Sequence, residues 1–237
     1  MPRSGFCALL RVALFPLATS VLVPNDVASQ TPRPRATAEA WVGAQAFPRV
    51  WSLYAGTTVA PFDGLDADGL RVRAVAGYGD YRSGTSSFAD LLLGYHKQLG
   101  TLTIKVFAGL SLANHDAENP FSSLDGPGAG AKGVIETWWN LNEHVWLNTD
   151  LSYGSLHDSY LVRMRLGQRF TPQLSLGLEG GAAGSLDTDI VRAGGFLRYE
   201  WASGEVSVSA GVAREGFDFL WDDTTGAYAT VSVLTRF

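Results

Sequence analysis

Glu205-Val206-Ser207-Val208-Ser209-Ala210-Gly211-Val212 is the stretch on which the fold turns. Val206, Val208, Ala210 and Val212 share one parity, and Glu205, Ser207, Ser209 and Gly211 the other. A period of two sorts side chains onto the two faces of a strand, and no helix reproduces it. The same alternation sets Leu102, Ile104, Val106, Ala108 and Leu110 against Thr103, Lys105, Phe107 and Gly109. It recurs in Val162, Met164 and Leu166 against Arg163, Arg165 and Gly167, and in Val145, Leu147 and Leu151 against Asn148, Asp150 and Ser152.

Extended along the chain, the pattern predicts about twelve strands, an even number as single-chain outer-membrane barrels require. They fall roughly at 38–47, 50–60, 68–81, 86–98, 101–113, 127–140, 144–154, 158–170, 173–183, 189–201, 204–214 and 226–237. Most run about 10 to 14 residues, longer than globular strands and enough to cross a bilayer at a tilt. The expected fold is all-β, a transmembrane antiparallel up-and-down β-barrel, placed in the outer membrane. A soluble β-sandwich fits less well, because its strands are shorter and its core is poorly filled by small, glycine-rich faces.

Connection lengths give an independent check, since such barrels keep short turns inside and long loops outside. With the first strand running outward, the inner turns are Gln98-Leu99-Gly100, Leu141-Asn142-Glu143, Thr171-Pro172 and Ala202-Ser203, while 114–126 and 215–225 are long outer loops. The connection at 61–67 is longer than an inner turn needs. On the apolar parity Tyr78, Tyr153 and Tyr160 fall near outer strand ends, and Tyr95, Trp139, Tyr199 and Trp201 near inner ends, as rings at two membrane interfaces should.

Composition agrees. Of 237 residues 46% are hydrophobic and only 17% charged, yet no stretch of the body approaches the ~18 apolar residues of a membrane helix. A net charge of -5 with no basic tract excludes nucleic acid as a partner. Arg3, Arg11 and the apolar run from Val12 to Val23 read as a signal peptide over 1–29. Val27-Ala28-Ser29 offers a cleavage site before Gln30, with Ala18-Thr19-Ser20 as an earlier alternative. Residues 30–37 are then a proline-bearing linker and 38–237 the barrel. The only cysteine, Cys7, lies in the leader, which suits an oxidising periplasm.

The polar parity points Arg71, Arg73, Asp90, Lys105, Lys132, Glu136, Asp150, Arg163, Arg165, Glu179, Arg192, Arg198, Glu200 and Glu205 into the lumen. Such residues either cross-link into an ionic plug or line a narrow wet channel, and both readings stay open here. Phe107, Trp138, Trp146 and Phe196 share that parity, so they either pack inside the barrel or stack on sugar rings.

No catalytic, cofactor or metal residues are assigned. A hydrolase would need a serine bonded to a histidine that a third group orients, and no histidine meets that condition. Ser155, His157 and Asp158 read as a solvated turn. The acidic segment Asn114-His115-Asp116-Ala117-Glu118-Asn119, with Asp125, lacks the spacing of a calcium loop. It reads as solvated, as do Asp187, Asp189, Asp222 and Asp223, with cation bridging to lipopolysaccharide as the functional alternative. In Gly126-Pro127-Gly128-Ala129-Gly130-Ala131-Lys132-Gly133 the residues flanking Lys132 are wrong for a phosphate loop.

Several short motifs carry a family likeness. They are Gly77-Tyr78-Gly79-Asp80-Tyr81, Leu93-Gly94-Tyr95, Val106-Phe107-Ala108-Gly109 and Asn114-His115-Asp116 in the first half. Gly130-Ala131-Lys132-Gly133, Glu136-Thr137-Trp138-Trp139, Arg198-Tyr199-Glu200-Trp201, Gly226-Ala227-Tyr228 and the closing Leu234-Thr235-Arg236-Phe237 continue it. Together they resemble the cellulose biosynthesis protein BcsS family over essentially the whole mature chain. The resemblance implies a role at the outer membrane in cellulose production or export and supplies no catalytic motif. The expected function is a non-enzymatic barrel assisting cellulose export or anchoring. Its partners would be outer-membrane lipids, lipopolysaccharide, cellulose and cellulose-secretion components. A narrow porin for small anionic or sugar solutes is the alternative, and an outer-membrane lipid or glycan hydrolase the third.

Overall fold

The computed structural model describes residues 35–81, 84–117, 125–186, 188–216 and 224–237. In it the alternating segments are twelve strands: β1 Ala38–Ala46, β2 Trp51–Val59, β3 Gly69–Tyr81, β4 Gly84–Leu99, β5 Leu102–Ala117 and β6 Gly126–Asn140, then β7 Val145–Gly154, β8 Ser159–Arg169, β9 Leu174–Ser185, β10 Thr188–Trp201, β11 Gly204–Gly216 and β12 Thr224–Arg236. Each pairs antiparallel with its neighbours in sequence, and β1 closes on β12 from Glu39 opposite Arg236 to Ala46 opposite Ala229. Closure leaves no strand edge, so the ladder satisfies the backbone amides and carbonyls where no water is available.

The outer ends run further than expected. Pairing of β4 with β5 continues from Ser87 opposite Asn114 to Gly84 opposite Ala117, so Asn114-His115-Asp116 is strand and not loop. Polarity misleads there because a strand inside a barrel can be polar on its inward face. The proposed leader 1–29, linker residues 30–34, and Glu118, Asn119, Asp187, Asp222 and Asp223 lie outside the described residues.

Val42, Leu91, Leu93, Leu110, Leu178 and Val212 are each more than half exposed on the outer surface. An apolar belt of that extent is stable only against lipid. Trp51, Tyr78 and Tyr153 stand exposed toward the outer strand ends, and Tyr95, Trp139, Tyr199 and Trp201 toward the inner ends.

Inside, register sets rings opposite glycines. Tyr54 faces Gly43, Trp41 faces Gly56, Phe88 faces Gly77 and Phe107 faces Gly94. Trp146 faces Gly167, Phe196 faces Gly177 and Tyr228 faces Gly211. Each ring lies over the partner strand where a side chain would otherwise stand. A Cβ at Gly94 would sit 2.3 Å from the Phe107 ring. Large inward side chains thus fit a narrow barrel because cross-strand glycines make room for them.

The long inner connection also has its reason. It folds back against the chain leading into β1: Ala60 N–H donates to the Thr37 carbonyl and Leu65 N–H to the Ala36 carbonyl, both at 2.8 Å. Gly64 and Leu65 are buried. Within 60–68, Ala60, Gly64 and Leu65 are therefore buried against the inner end of the barrel while Phe62 stays exposed, and the connection is not a simple turn.

Candidate functional site

The interior divides into a packed inner half and an outer cavity. Arg71, only 1% exposed, holds the tucked connection by its backbone. Its Nη2 donates to the carbonyls of Gly64, Leu65 and Ala67 at 3.2, 3.0 and 2.5 Å, and lies 3.2 Å from His96 Nδ1. Arg71 therefore serves a backbone segment, while the other inward cations meet carboxylates.

Arg73 grips Glu136 from β3 to β6 with both nitrogens, at 2.5 and 3.0 Å, and donates Nε–H to Thr58. Its guanidinium lies 3.8 Å over the Phe107 ring. Lys132 and Ser111 both donate to Asp90 at 2.6 Å. Arg163 donates to Asp150 at 2.8 and 2.5 Å. Glu179 receives Arg165 at 2.8 Å, Tyr228 at 2.9 Å and Ser209 at 3.0 Å, with Arg192 further off at 3.8 Å. Arg198 spans Glu200 and Glu205 and lies 4.6 Å over Trp138, itself stacked on Trp146. Lys105 and Arg236 flank Glu39, each at 3.5 Å.

Buried charges persist only when paired and hydrogen-bonded, and each of these carboxylates has at least one cation. Phe107, Trp146 and Phe196 are 1–4% exposed, so they pack within this layer and are not free to stack on a passing sugar. Glu39, Tyr228 and Thr58 belong to the layer and were not singled out in the sequence. Glu39 stands on the same parity as Trp41 and Gly43, so the alternation in 38–47 carried the signal.

The outer half holds a cavity of ≈ 360 Å³. Its wall includes Phe47, Phe88, Ser86, Ser111, His115 and His157, with Lys132 and Arg192 on the side of the packed layer. The turn between β7 and β8 leans over it: Leu156 packs on Gly128 and Gly130 of β6, where a Cβ would meet it at 2.6 and 2.7 Å. The glycines of 126–133 thus make room for that turn. Ser155, His157 and Asp158 do not converge. Ser155 Oγ accepts the Ala131 N–H at 2.9 Å, and Asp158 accepts the Tyr153 hydroxyl at 2.7 Å. The structure instead brings Ser86 Oγ to 3.5 Å from His115 Nε2, a pair that 29 residues of separation conceal. At that distance the contact is at the outer limit of a hydrogen bond, and among the described residues no carboxylate is a partner of His115. Asp125 caps the Ala117 N–H, and Asp189 accepts the Tyr160 hydroxyl, so both acids are occupied by local contacts.

A family model described as "Cellulose biosynthesis protein BcsS" matches residues 40–237. No curated protein matches the chain in sequence. Among solved structures the fold is similar to the KdgM porin, at a TM-score of 0.52 and 10% identity over 84% of this chain and 99% of that one. The KdgM porin in complex with disordered oligogalacturonate gives 0.50 and 10% over the same shares. LpxR from Salmonella typhimurium gives 0.52 and 11% over 84% and 100%. At such identities the likeness concerns the barrel alone.

Proposed function

Because the chain belongs to the cellulose biosynthesis protein BcsS family, we propose that this outer-membrane barrel is a non-enzymatic accessory that holds cellulose at the cell surface and does not conduct it. One observation carries the reading: carboxylates paired with cations, rings seated on glycines, and a connection tucked under Arg71 fill the inner half. A polymer chain threading the barrel would have to break several buried ion pairs at once, each at a cost of about 3–5 kcal/mol. The apolar belt contacts outer-membrane lipid, and the outer rim adjoins lipopolysaccharide.

The test is cellulose in a deletion strain, measured separately as cell-bound and released polymer. The proposal expects the bound fraction to fall and the released fraction to rise, with wild type restoring both. Unchanged fractions sink it. The second reading, a narrow porin for anionic or sugar solutes, draws on the inward Arg71, Arg73, Arg163, Arg165, Arg192 and Arg198 and on the porin-like fold. Steady conductance of the purified barrel in planar bilayers would favour that reading over ours.

A further inference from the structure

Recognition of a pyranose takes an aromatic plane for its C–H face and hydrogen-bonding groups for its equatorial rim. The outer cavity has both. Phe88 lies over Gly77 with Lys132 Nζ 5.3 Å from its ring centre and lines the cavity, Phe47, stacked on Tyr228, adds a second ring, and Ser86 and Ser111 add hydroxyls. At ≈ 360 Å³ the space is near the lower end of the ~300–1,000 Å³ of small-ligand pockets. It suits the end of a chain and not a length of polymer.

The β7–β8 turn supplies an independent sign of a ligand. His157 has φ 58° and Asp158 φ 47°, the left-handed pair of a two-residue hairpin turn closed by the Ser159 N–H on the Leu156 carbonyl, which glycine would adopt still more freely. The turn carries His157 to the cavity wall, edge-on to His115 at 4.8 Å between ring centres. There His157 Nε2 is shut off from water and has no hydrogen-bond partner among the described residues. The turn geometry is that of a two-residue hairpin loop, so it is the orphaned nitrogen at the cavity wall that points to a ligand.

Charge narrows the ligand. Lys132 is neutralised by Asp90 at 2.6 Å, Arg192 leans toward Glu179, and Asp116 lines the same wall. The cavity therefore has little positive charge to spare for an acidic sugar. We infer that it binds the end of a neutral β-linked glucose chain, with Phe88 against the pyranose face and His157 Nε2 bonded to a hydroxyl. The choice of glucan rests on the cellulose reading above.

The test is calorimetric titration of the detergent-solubilised barrel with cellotetraose, using maltotetraose and tetragalacturonate as comparators. Cellotetraose should bind at least about tenfold more tightly than either. His157→Gly should weaken it by about tenfold, the worth of one lost hydrogen bond. The barrel's unfolding temperature should not drop, because glycine relaxes the turn. Phe88→Ala should weaken binding as well. Failure of the folded wild type to bind cellotetraose, undiminished affinity in His157→Gly, or a preference for tetragalacturonate overturns the inference. Complementing the deletion strain with His157→Gly separates the two proposals. If deletion releases cellulose and this variant restores retention in full, the cavity assignment fails and the functional reading stands. If cellotetraose binds as described while deletion leaves cellulose unchanged, the site stands and the reading fails.

Discussion

The two halves of this barrel share strands, yet they are built to different rules. In the inner half most large inward groups are met, Arg71 by four backbone carbonyls, Glu136 by Arg73, Glu179 by three close donors and Phe107 by Gly94, although Arg71 Nε, Arg198 Nε and His96 Nε2 have no hydrogen-bond partner among the described residues. In the outer half a cavity remains, walled in part by the β7–β8 turn, whose His157 Nε2 lacks a partner among the described residues. On the proposed reading, a packed inner layer beneath a cavity among the described outer residues suits a receptor better than a conduit. Substitutions below the cavity should therefore cost stability, while those around it should cost binding.

The largest effect is expected for Glu179→Ala. It strands Arg165 and leaves the Tyr228 and Ser209 hydroxyls without their acceptor, at a cost of about 3–5 kcal/mol in reversible urea unfolding from lipid vesicles. A loss below about 1 kcal/mol would mean that the inner layer is wet and the contrast between halves is false. Arg71→Ala comes next, at about 2–4 kcal/mol for charge-assisted hydrogen bonds to buried carbonyls. It should also be the change that makes planar bilayers conduct, by freeing residues 60–68. Stability lost without conductance would assign the seal to the ion pairs alone.

Gly94→Ala should cost about 1–3 kcal/mol, because its methyl meets the Phe107 ring at 2.3 Å and the Val106 carbonyl at 2.5 Å. Gly133→Ala, whose added methyl meets nothing within 4 Å, is the matched control. His157→Gly should leave stability unchanged or raise it by about 1 kcal/mol, since two opposed effects act: relief of the left-handed backbone and the entropy of glycine. The smallest effect concerns Asp68, exposed at the inner edge. The hydrogen bond from Lys97, followed by the Gln98 N–H, holds its carboxyl below the ordinary aspartate range. That contact is present at neutral pH and is lost as pH falls through the lowered value. Asp68→Asn should therefore match wild type in thermal unfolding at low pH and differ only slightly at pH 7.

Much of the fold was legible because strand alternation is local: each residue's parity decides its face, whatever lies across the barrel. That is why the segments around Val206, Val162 and Leu102 predict strands that the structure contains, and why Arg73 and Glu136 can both be assigned inward. Their meeting cannot be read the same way, because 63 residues separate them and the contact crosses the lumen. The polarity of Asn114-His115-Asp116 is that of a loop. Only its pairing with Ser86 and its neighbours makes it strand.

By itself, then, the sequence determined an outer-membrane barrel of alternating strands with a charged interior, since period, strand length and aromatic placement are properties of short segments. Only the tertiary structure decided which charge meets which, that glycines lie under rings, that Arg71 holds the backbone of Gly64, Leu65 and Ala67, and that Ser86, His115 and His157 share one cavity wall. Those outcomes depend on register and closure, which every strand sets jointly and no single segment encodes.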